Sequence, residues 1–406
     1  MRPVIVLTGG GSGGHVMPIL AVARELKRRR PDARLIYVGQ TGDRFVEIPR
    51  NDKHIDEVFT VRAGKFRRYH GEGWKQLLDF QTVFLNIRDI FYVAIGLWQS
   101  WRLMKRINPD VIFSRGGFVS VPVSLGGHFR HVPYITHDSD PVPSLANRLI
   151  APWAARHAVS LPKETYPYPP EKTVTTGVPI DEHFVPVTDT LRKQYRREID
   201  IPESAQLLFV IGGGLGSQLV NHAIAENLPH LLKEFPRLRV VHVTGAANEA
   251  EMEFWYDENL SEAEQGRVQV RGFLDKVYEY SGAADIIVCR AGATNLAEFA
   301  AQGKACVVIP STFLTGGHQL KNAEYLAEQD AVLVIDESQL AADANKLAKQ
   351  LSALLHDAPR QKELGANLRA FARPEAAESL AALILECIRP RPRPQVRNRQ
   401  RRRPAA

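Results

Sequence analysis

Apolar residues fall along this chain in short bursts separated by turn residues. Residues 4–7 (VIVL), 34–39 (RLIYVG), 110–114 (DVIFS) and 132–137 (VPYITH) are rich in β-branched and aromatic side chains, and such runs read as buried strands. Between the first two, Ile19, Leu20, Val22, Ala23 and Leu26 recur at helical spacing, which predicts a helix over 19–27. A second series opens at residue 207 with an apolar strand, a glycine run and a helix. Strands follow at 239–245, 268–273, 285–290, 305–310 and 331–336. Helical patterns cover 291–303 (ending at Gly303), 318–329, 339–356, 359–371 and 374–388.

Strand alternating with helix, twice over, predicts an α/β chain of two doubly wound, mostly parallel sheets. The expected organisation is a first domain over 1–160, a proline-rich connector with one short strand over 161–205, a second domain over 206–373, and a closing helix over 374–388. In open α/β sheets ligands sit beyond the carboxyl ends of the strands. The loops 8–15, 114–120 and 137–144 are therefore expected to share one crevice, with a deep cleft between the halves.

Two stretches depart from this rhythm. Residues 62–74 (RAGKFRRYHGEGW) interleave cations with aromatics, and large apolar groups continue to Trp101. Helices packed on the sheet explain most of these residues; a patch dipping into an anionic membrane interface explains their mixture with cations. Residues 389–406 hold eight arginines and no acid, which more than accounts for the chain's net charge of +7. This tail cannot bury apolar surface and is expected to be disordered. The rest has the balance of a soluble globular protein, with 44% apolar and 24% charged residues. Three cysteines, odd in number, fit buried thiols in a reducing compartment. The start of the chain shows no signal-peptide pattern. The longest apolar uncharged run, Ile90–Trp101, is 12 residues and too short to span a bilayer.

The candidate chemistry lies in glycines and a few polar side chains. Five glycines fall between Gly9 and Gly14, followed by His15. A strand, a glycine turn and a helix start present backbone N–H groups to an oxyanion. Gly9, Gly11 and Gly14 match G-x-G-x-x-G, but the acid that would follow the second strand is missing and no Lys-Ser/Thr follows the turn. Gly212–Gly216 repeats the arrangement and suits a pyrophosphate. Glu298 lies in a helix just past a strand end, where a carboxylate accepts both hydroxyls of a ribose. Gln319 and Asn322 share a helix face beside His318 and suit sugar hydroxyls. Cys289 and Cys306 read as inert core residues. No His or Cys pair has metal-ligand spacing, so no metal is expected.

Together, G-G-x-G-G-H-V-x-P at Gly10–Pro18, G-G-F-V-S at Gly116–Ser120, C-R-x-G-A at Cys289–Ala293 with Glu298, and H-Q-x-x-N-A at His318–Ala323 resemble the MurG family of GT-B glycosyltransferases over most of residues 1–388. The resemblance implies a GT-B fold, two Rossmann-like domains around an interdomain cleft. It also implies inverting transfer of N-acetylglucosamine from UDP-GlcNAc to undecaprenyl-pyrophosphoryl-MurNAc-pentapeptide, with no cofactor. His15 and Glu298 are then the candidate catalytic pair, His15 as general base near the acceptor hydroxyl and Glu298 on the ribose. The acceptor side comprises Gly11, Ser12, Gly13, Gly14, Gly116, Gly117, Phe118, His137 and Asp140. The donor side comprises Gly213, Gly214, Leu215, Gly216, Phe273, Leu274, Ala293, Thr294, His318, Gln319 and Asn322. Residues Gly212–Gly216 read G-G-G-L-G where the family has G-G-S-Q-G, and Asp181 stands where the family has arginine. The resemblance further implies a peripheral enzyme at the cytoplasmic face of the membrane, touching anionic lipids and no specific nucleic acid. A related transferase with another glycan acceptor, a UDP-sugar 2-epimerase of the same shape and a membrane-associated scaffold are the competing readings.

Overall fold

A computed structural model describes residues 2–11, 13–64, 80–311, 317–343 and 345–388, with the backbone alone for 80–87, 341 and 342. Ser12, the basic–aromatic stretch from 65 to 79 and the arginine–proline tail lie outside the described residues.

The first half runs β1 (Val4–Thr8), α1 (Gly13–Arg29), β2 (Arg34–Gln40), α2 (Glu47–Asn51), β3 (Glu57–Val61), α3 (Phe80–Ile107), β4 (Val111–Ser114), α4 (Ser120–His128), β5 (Tyr134–Asp138), α5 (Leu145–Ile150), β6 (Arg156–Val159) and β7 (Thr173–Thr175). The second runs α6 (Asp189–Glu198), β8 (Gln206–Ile211), α7 (Gln218–Glu234), β9 (Leu238–Val243), α8 (Glu249–Asn259), α9 (Glu262–Gln265), β10 (Val268–Arg271), α10 (Val277–Ala283), β11 (Ile286–Cys289), α11 (Ala293–Gln302), β12 (Ala305–Val308), α12 (His318–Glu328), β13 (Leu333–Val334), α13 (Glu337–Ala342), α14 (Asn345–His356), α15 (Ala358–Arg369) and α16 (Ala376–Glu386).

Two parallel sheets result, in the orders β3-β2-β1-β4-β5-β6-β7 and β10-β9-β8-β11-β12-β13. In register, Ile5 lies opposite Leu35 on one side and Val111 on the other. Side chains alternate between two buried faces, as parallel strands require. Ile5 and Leu7 pack with α1, whereas Val4 and Val6 pack with Met104 of α3 and Val123 of α4. In the second sheet Leu208 and Val210 face α7, and Leu207 and Phe209 face the opposite core. The strand order reverses beside β1 and beside β8, and these switch points open the crevices that hold ligands.

The structure departs from the sequence-based elements in several places. The first helix begins at Gly13, six residues early, because glycines in its opening turn hide the apolar period. β3 and β6 escape the pattern because polar residues break their apolar runs: EVFTV is mostly half-buried, and RHAV opens on an exposed arginine. β7 lies inside the expected connector yet extends the first sheet, pairing with β6. The connector also supplies α6, whose polar sequence DTLRKQYRRE conceals a buried Tyr195 and Arg196. Residues 62–107 resolve into a single described helix, α3. The pattern over 339–356 divides into α13 and α14. The closing helix, α16, returns to the first half, placing Leu380, Ala381 and Ile384 in the core with α1.

Three buried histidines give the fold an acid-sensitive core. Burial holds His137 at about 3, His157 at about 4 and His242 at about 3. Each folded value is below the unfolded one, so the unfolded chain binds more protons once the pH falls through about 6.5, and stability is lost from there toward pH 4. Glu298, raised by burial to about 8, acts in the opposite sense over part of this range. The urea midpoint is expected to fall on acidification from pH 6.5 to 4, the three imidazoles outweighing the one carboxyl; a midpoint that rises over that interval contradicts this balance.

Candidate active site

The first lip of the cleft grows from the carboxyl end of β1. Thr8 fastens the strand end through Oγ1, donating to the Val38 carbonyl at 2.8 Å. The chain then turns on glycines. The Tyr37 hydroxyl donates to the Gly9 carbonyl, and the Gly11 N–H donates to Asp43 Oδ2 at 2.7 Å. Gly11 has φ +84, a left-handed conformation that glycine adopts without a Cβ penalty. A second turn lies directly on the first: Gly117 has φ +86, and a Cβ there would stand 2.7 Å from the Gly10 carbonyl. Gly13 and Gly14 form the first turn of α1, whose N–H groups face the cleft.

His15 follows, half-buried. Its Nδ1 lies 2.8 Å from the Gly10 carbonyl. A carbonyl only accepts, so Nδ1 carries the hydrogen and Nε2 is the basic nitrogen. Burial, and next the Arg115 cation, hold the imidazole below its ordinary range, against the opposing pull of the Gly10 bond and Asp140. The ring is therefore neutral at physiological pH and able to accept a proton.

The opposite lip grows from β8. Gly213 and Gly216 have φ +93 and +75, and a Cβ on Gly216 would stand 1.8 Å from the Thr244 carbonyl, so no other residue fits there. Gly213 and Gly214 meet open space. Ser217 caps α7 and accepts from Arg290 Nη2 at 2.7 Å. Arg290 is itself held by Glu337 at 2.6 Å and by the Ile309 carbonyl. Leu215 projects into solvent, and Phe273, 65% exposed, stands at the rim after β10.

α11 begins at Ala293 behind Gly292 and carries Glu298 one and a half turns along. The Glu298 carboxylate is half-buried and has no hydrogen-bond partner among the described residues. Burial, and after it the Asp181 carboxylate, push its pKa up to about 8. A shielded carboxylate without donors of its own is suited to accept from a ligand's hydroxyls.

The lips meet. Asn322 Nδ2 of α12 donates to Asp140 Oδ1 at 2.8 Å and to the Ala291 carbonyl at 3.0 Å. Thr294 Oγ1 approaches the Gly14 carbonyl at 3.5 Å. Nearer the connector, Arg24 of α1 pairs with Asp181 at 2.8 Å. Gln319 Oε1 accepts from the Ser311 N–H at 2.9 Å, fixing its amide beside His318 at the start of α12.

Some expected site residues sit elsewhere. His137 is fully buried and donates from Nε2 to the Gly177 carbonyl at 2.9 Å; it fastens the connector to β5 and does not face the crevice. The Leu274 side chain packs in the core of the second half, so the contact expected at this position is one for its backbone. Phe118 packs partly against the first half's core. Other residues that build the lips escape sequence reasoning. Asp43 holds a glycine turn, a role that leaves no mark in sequence; Arg290 stands in the C-R-x-G-A motif, but its hold on the second turn through Ser217 shows only in the fold. Arg115 is different, since a cation directly before a glycine pair at a strand end is a visible signal.

The chain matches the glycosyltransferase family 28 N-terminal domain over residues 5–159 and the family 28 C-terminal domain over residues 207–380. It is 30% identical to the UDP-N-acetylglucosamine–N-acetylmuramyl-(pentapeptide) pyrophosphoryl-undecaprenol N-acetylglucosamine transferase of Desulforudis audaxviator, over 94% of this chain and 97% of the relative. The protein of the same name from Salinibacter ruber is 33% identical over 94% and 96%. Among solved structures, Acinetobacter baumannii MurG superposes with a TM-score of 0.70 at 23% identity, covering 95% of this chain and all of that one. A UDP-GlcNAc 2-epimerase from Neisseria meningitidis reaches 0.61 at 12% identity, covering 95% and 100%. Fold alone does not separate transferase from epimerase. Identity of 30% or more along nine-tenths of both chains does, and by that measure this chain belongs to the MurG family of glycosyltransferases.

Proposed function

We propose that this chain transfers N-acetylglucosamine from UDP-N-acetylglucosamine to an N-acetylmuramyl-(pentapeptide) pyrophosphoryl-undecaprenol acceptor, the lipid I to lipid II step. The observation that carries this reading is the base on one lip opposite an unpartnered carboxylate on the other. His15 Nε2 takes the proton of the attacking sugar hydroxyl. The new glycosidic bond forms as the bond from the anomeric carbon to the UDP oxygen breaks, inverting that carbon in a single displacement. Glu298 accepts the ribose hydroxyls. The donor diphosphate lies on the Gly212–Gly216 turn, where the positive end of α7 meets the charge that grows on UDP. Ala293, Thr294, His318, Gln319 and Asn322 surround the transferred sugar, with the Phe273 rim against the uracil. The acceptor diphosphate lies on Gly11–Gly14 and Gly116–Gly117. No cofactor enters this scheme. NMR of UDP-GlcNAc with the enzyme tests it against the epimerase reading: turnover that requires the lipid acceptor supports transfer, and a change of sugar configuration without any acceptor contradicts it.

We also infer that the first half docks on the membrane's cytoplasmic face through α3. Ile90, Phe91, Ile95, Trp98 and Trp101 are exposed on this helix, Phe91 at 64% and Trp98 at 57%. Arg102 stands over the Trp98 ring at 5.6 Å and Lys105 over Trp101 at 5.8 Å. Aromatics that enter the interface with cations at headgroup level suit an anionic surface. Among the described residues no helix is long and apolar enough to cross a membrane. Binding to liposomes is expected to rise with anionic lipid, to fall with salt, and to drop about tenfold or more in a Phe91→Ser, Trp98→Ser variant. Unchanged partitioning of that variant overturns the docking assignment.

A further inference from the structure

Arg115 is a buried cation of the first lip with no ion-pair partner among the described residues. It is 5% exposed at the carboxyl end of β4, beneath the turn of Gly9 and beside the loop after β5. Its backbone N–H donates to the Thr8 carbonyl at 2.8 Å, and a Cβ on Gly9 would stand 3.2 Å from Arg115 Cβ. Its Nη2 donates to the Ser139 hydroxyl. Its Nε is buried without a partner, and no carboxylate of the described residues forms an ion pair with it. The two nearby acids are engaged elsewhere. Asp138 accepts from Asn147, the Ser144 N–H and the Tyr168 hydroxyl, and Asp140 accepts from Asn322. Burial pushes the guanidinium down to about 10, with Asp140 and then Asp138 restoring only part of the cost.

A buried cation whose charge nothing in contact neutralises is costly to keep. A guanidinium is also the side chain best shaped to meet paired phosphate oxygens. Arg115 lies where the three N-terminal loops converge, two of them glycine turns. We infer that Arg115 is the cation that receives the acceptor's diphosphate, so that acceptor binding supplies the counter-charge missing from the free enzyme. This rests on the acceptor reading above and adds to it a specific binding residue. It carries a consequence for His15, because an anion on Arg115 cancels the charge that depresses the imidazole. The base strengthens when the acceptor is in place.

The test uses full-length enzyme and two probes. Inorganic pyrophosphate is expected to raise the melting temperature of the wild-type enzyme, and this rise is expected to vanish in Arg115→Gln and to return in part in Arg115→Lys. In steady-state assays Arg115→Gln is expected to raise the acceptor KM at least tenfold while leaving the UDP-GlcNAc KM within about twofold. The melting temperature of Arg115→Gln without ligand is expected to equal or exceed that of the wild type, since the variant removes an uncompensated charge; a large fall assigns the residue a structural role and overturns the inference. An acceptor KM and a pyrophosphate response both unchanged in Arg115→Gln overturn it too. A wild-type enzyme that makes no lipid-linked product contradicts the proposed function, and the pyrophosphate response still tests Arg115.

Discussion

Replacing His15 by alanine is expected to lower kcat by about 10²–10⁴-fold, the usual range for removing a positioned general base, with the UDP-GlcNAc KM little changed. The ring is held by its Nδ1–H to the Gly10 carbonyl, so the variant loses a proton acceptor and no structural element of the second half. The wild-type kcat/KM for the acceptor, which reports the free enzyme, is expected to fall on the acid side only below the ordinary histidine range, since burial and Arg115 depress the His15 imidazole. His15→Asn keeps a polar group on the same turn without the base and should be as slow as alanine. Steady-state kcat and kcat/KM against pH for wild type and both variants check this. A variant with full rate, or an acid limb unchanged by the loss of His15, removes His15 from the chemistry.

Glu298 carries the second large effect, on binding. A carboxylate that accepts two ribose hydroxyls makes two charge-assisted bonds, each of about 1.5–3 kcal/mol. Glu298→Ala should therefore raise the donor Kd by about 10²–10⁴-fold. The pH dependence has a definite sign. In the free enzyme the acid titrates near 8, and the ribose binds the ionised form, so binding releases a proton. UDP affinity is expected to improve as the pH rises toward 8 and to level off above it. Glu298→Gln, frozen in the uncharged state, should bind weakly at every pH. Calorimetry in buffers of different ionisation enthalpy reads both affinity and proton release. Affinity that worsens between pH 6 and 8 contradicts the assignment.

The two halves were legible because parallel strands buried on both faces are uninterrupted apolar runs, and the glycine turns beside β1 and β8 punctuate them. The positions of Glu298, Gln319 and Asn322 followed from helices that start at strand ends. What escaped was whatever depends on contacts distant in sequence. Nothing in the polar run DTLRKQYRRE announces that Arg196 is buried against Asp285 at 2.7 Å, which fixes α6 to the second half. His137 reads as a crevice residue because it ends a strand, yet its ring turns inward to Gly177, forty positions away. The Asn322–Asp140 bond joins residues 182 apart, and it places an acid of the acceptor loop against an amide expected for the sugar. On the proposed donor assignment, UDP-sugar binding shares or displaces that contact. The altered turn after β8 is also clearer in three dimensions: Gly214 leaves open space where the family pattern has serine, Leu215 projects into solvent where it has glutamine, and Arg290 secures the turn from behind through Ser217.

The central claim is that one lip supplies the base and acceptor site and the other the UDP-sugar. Its most direct test is incubation of the full-length protein with radiolabelled UDP-GlcNAc and lipid I in detergent, followed by separation of the lipid products. Labelled lipid II is expected from the wild type and at least a hundredfold less from His15→Ala at saturating substrates. No labelled lipid II from the wild type, under conditions where a known family member produces it, contradicts the account.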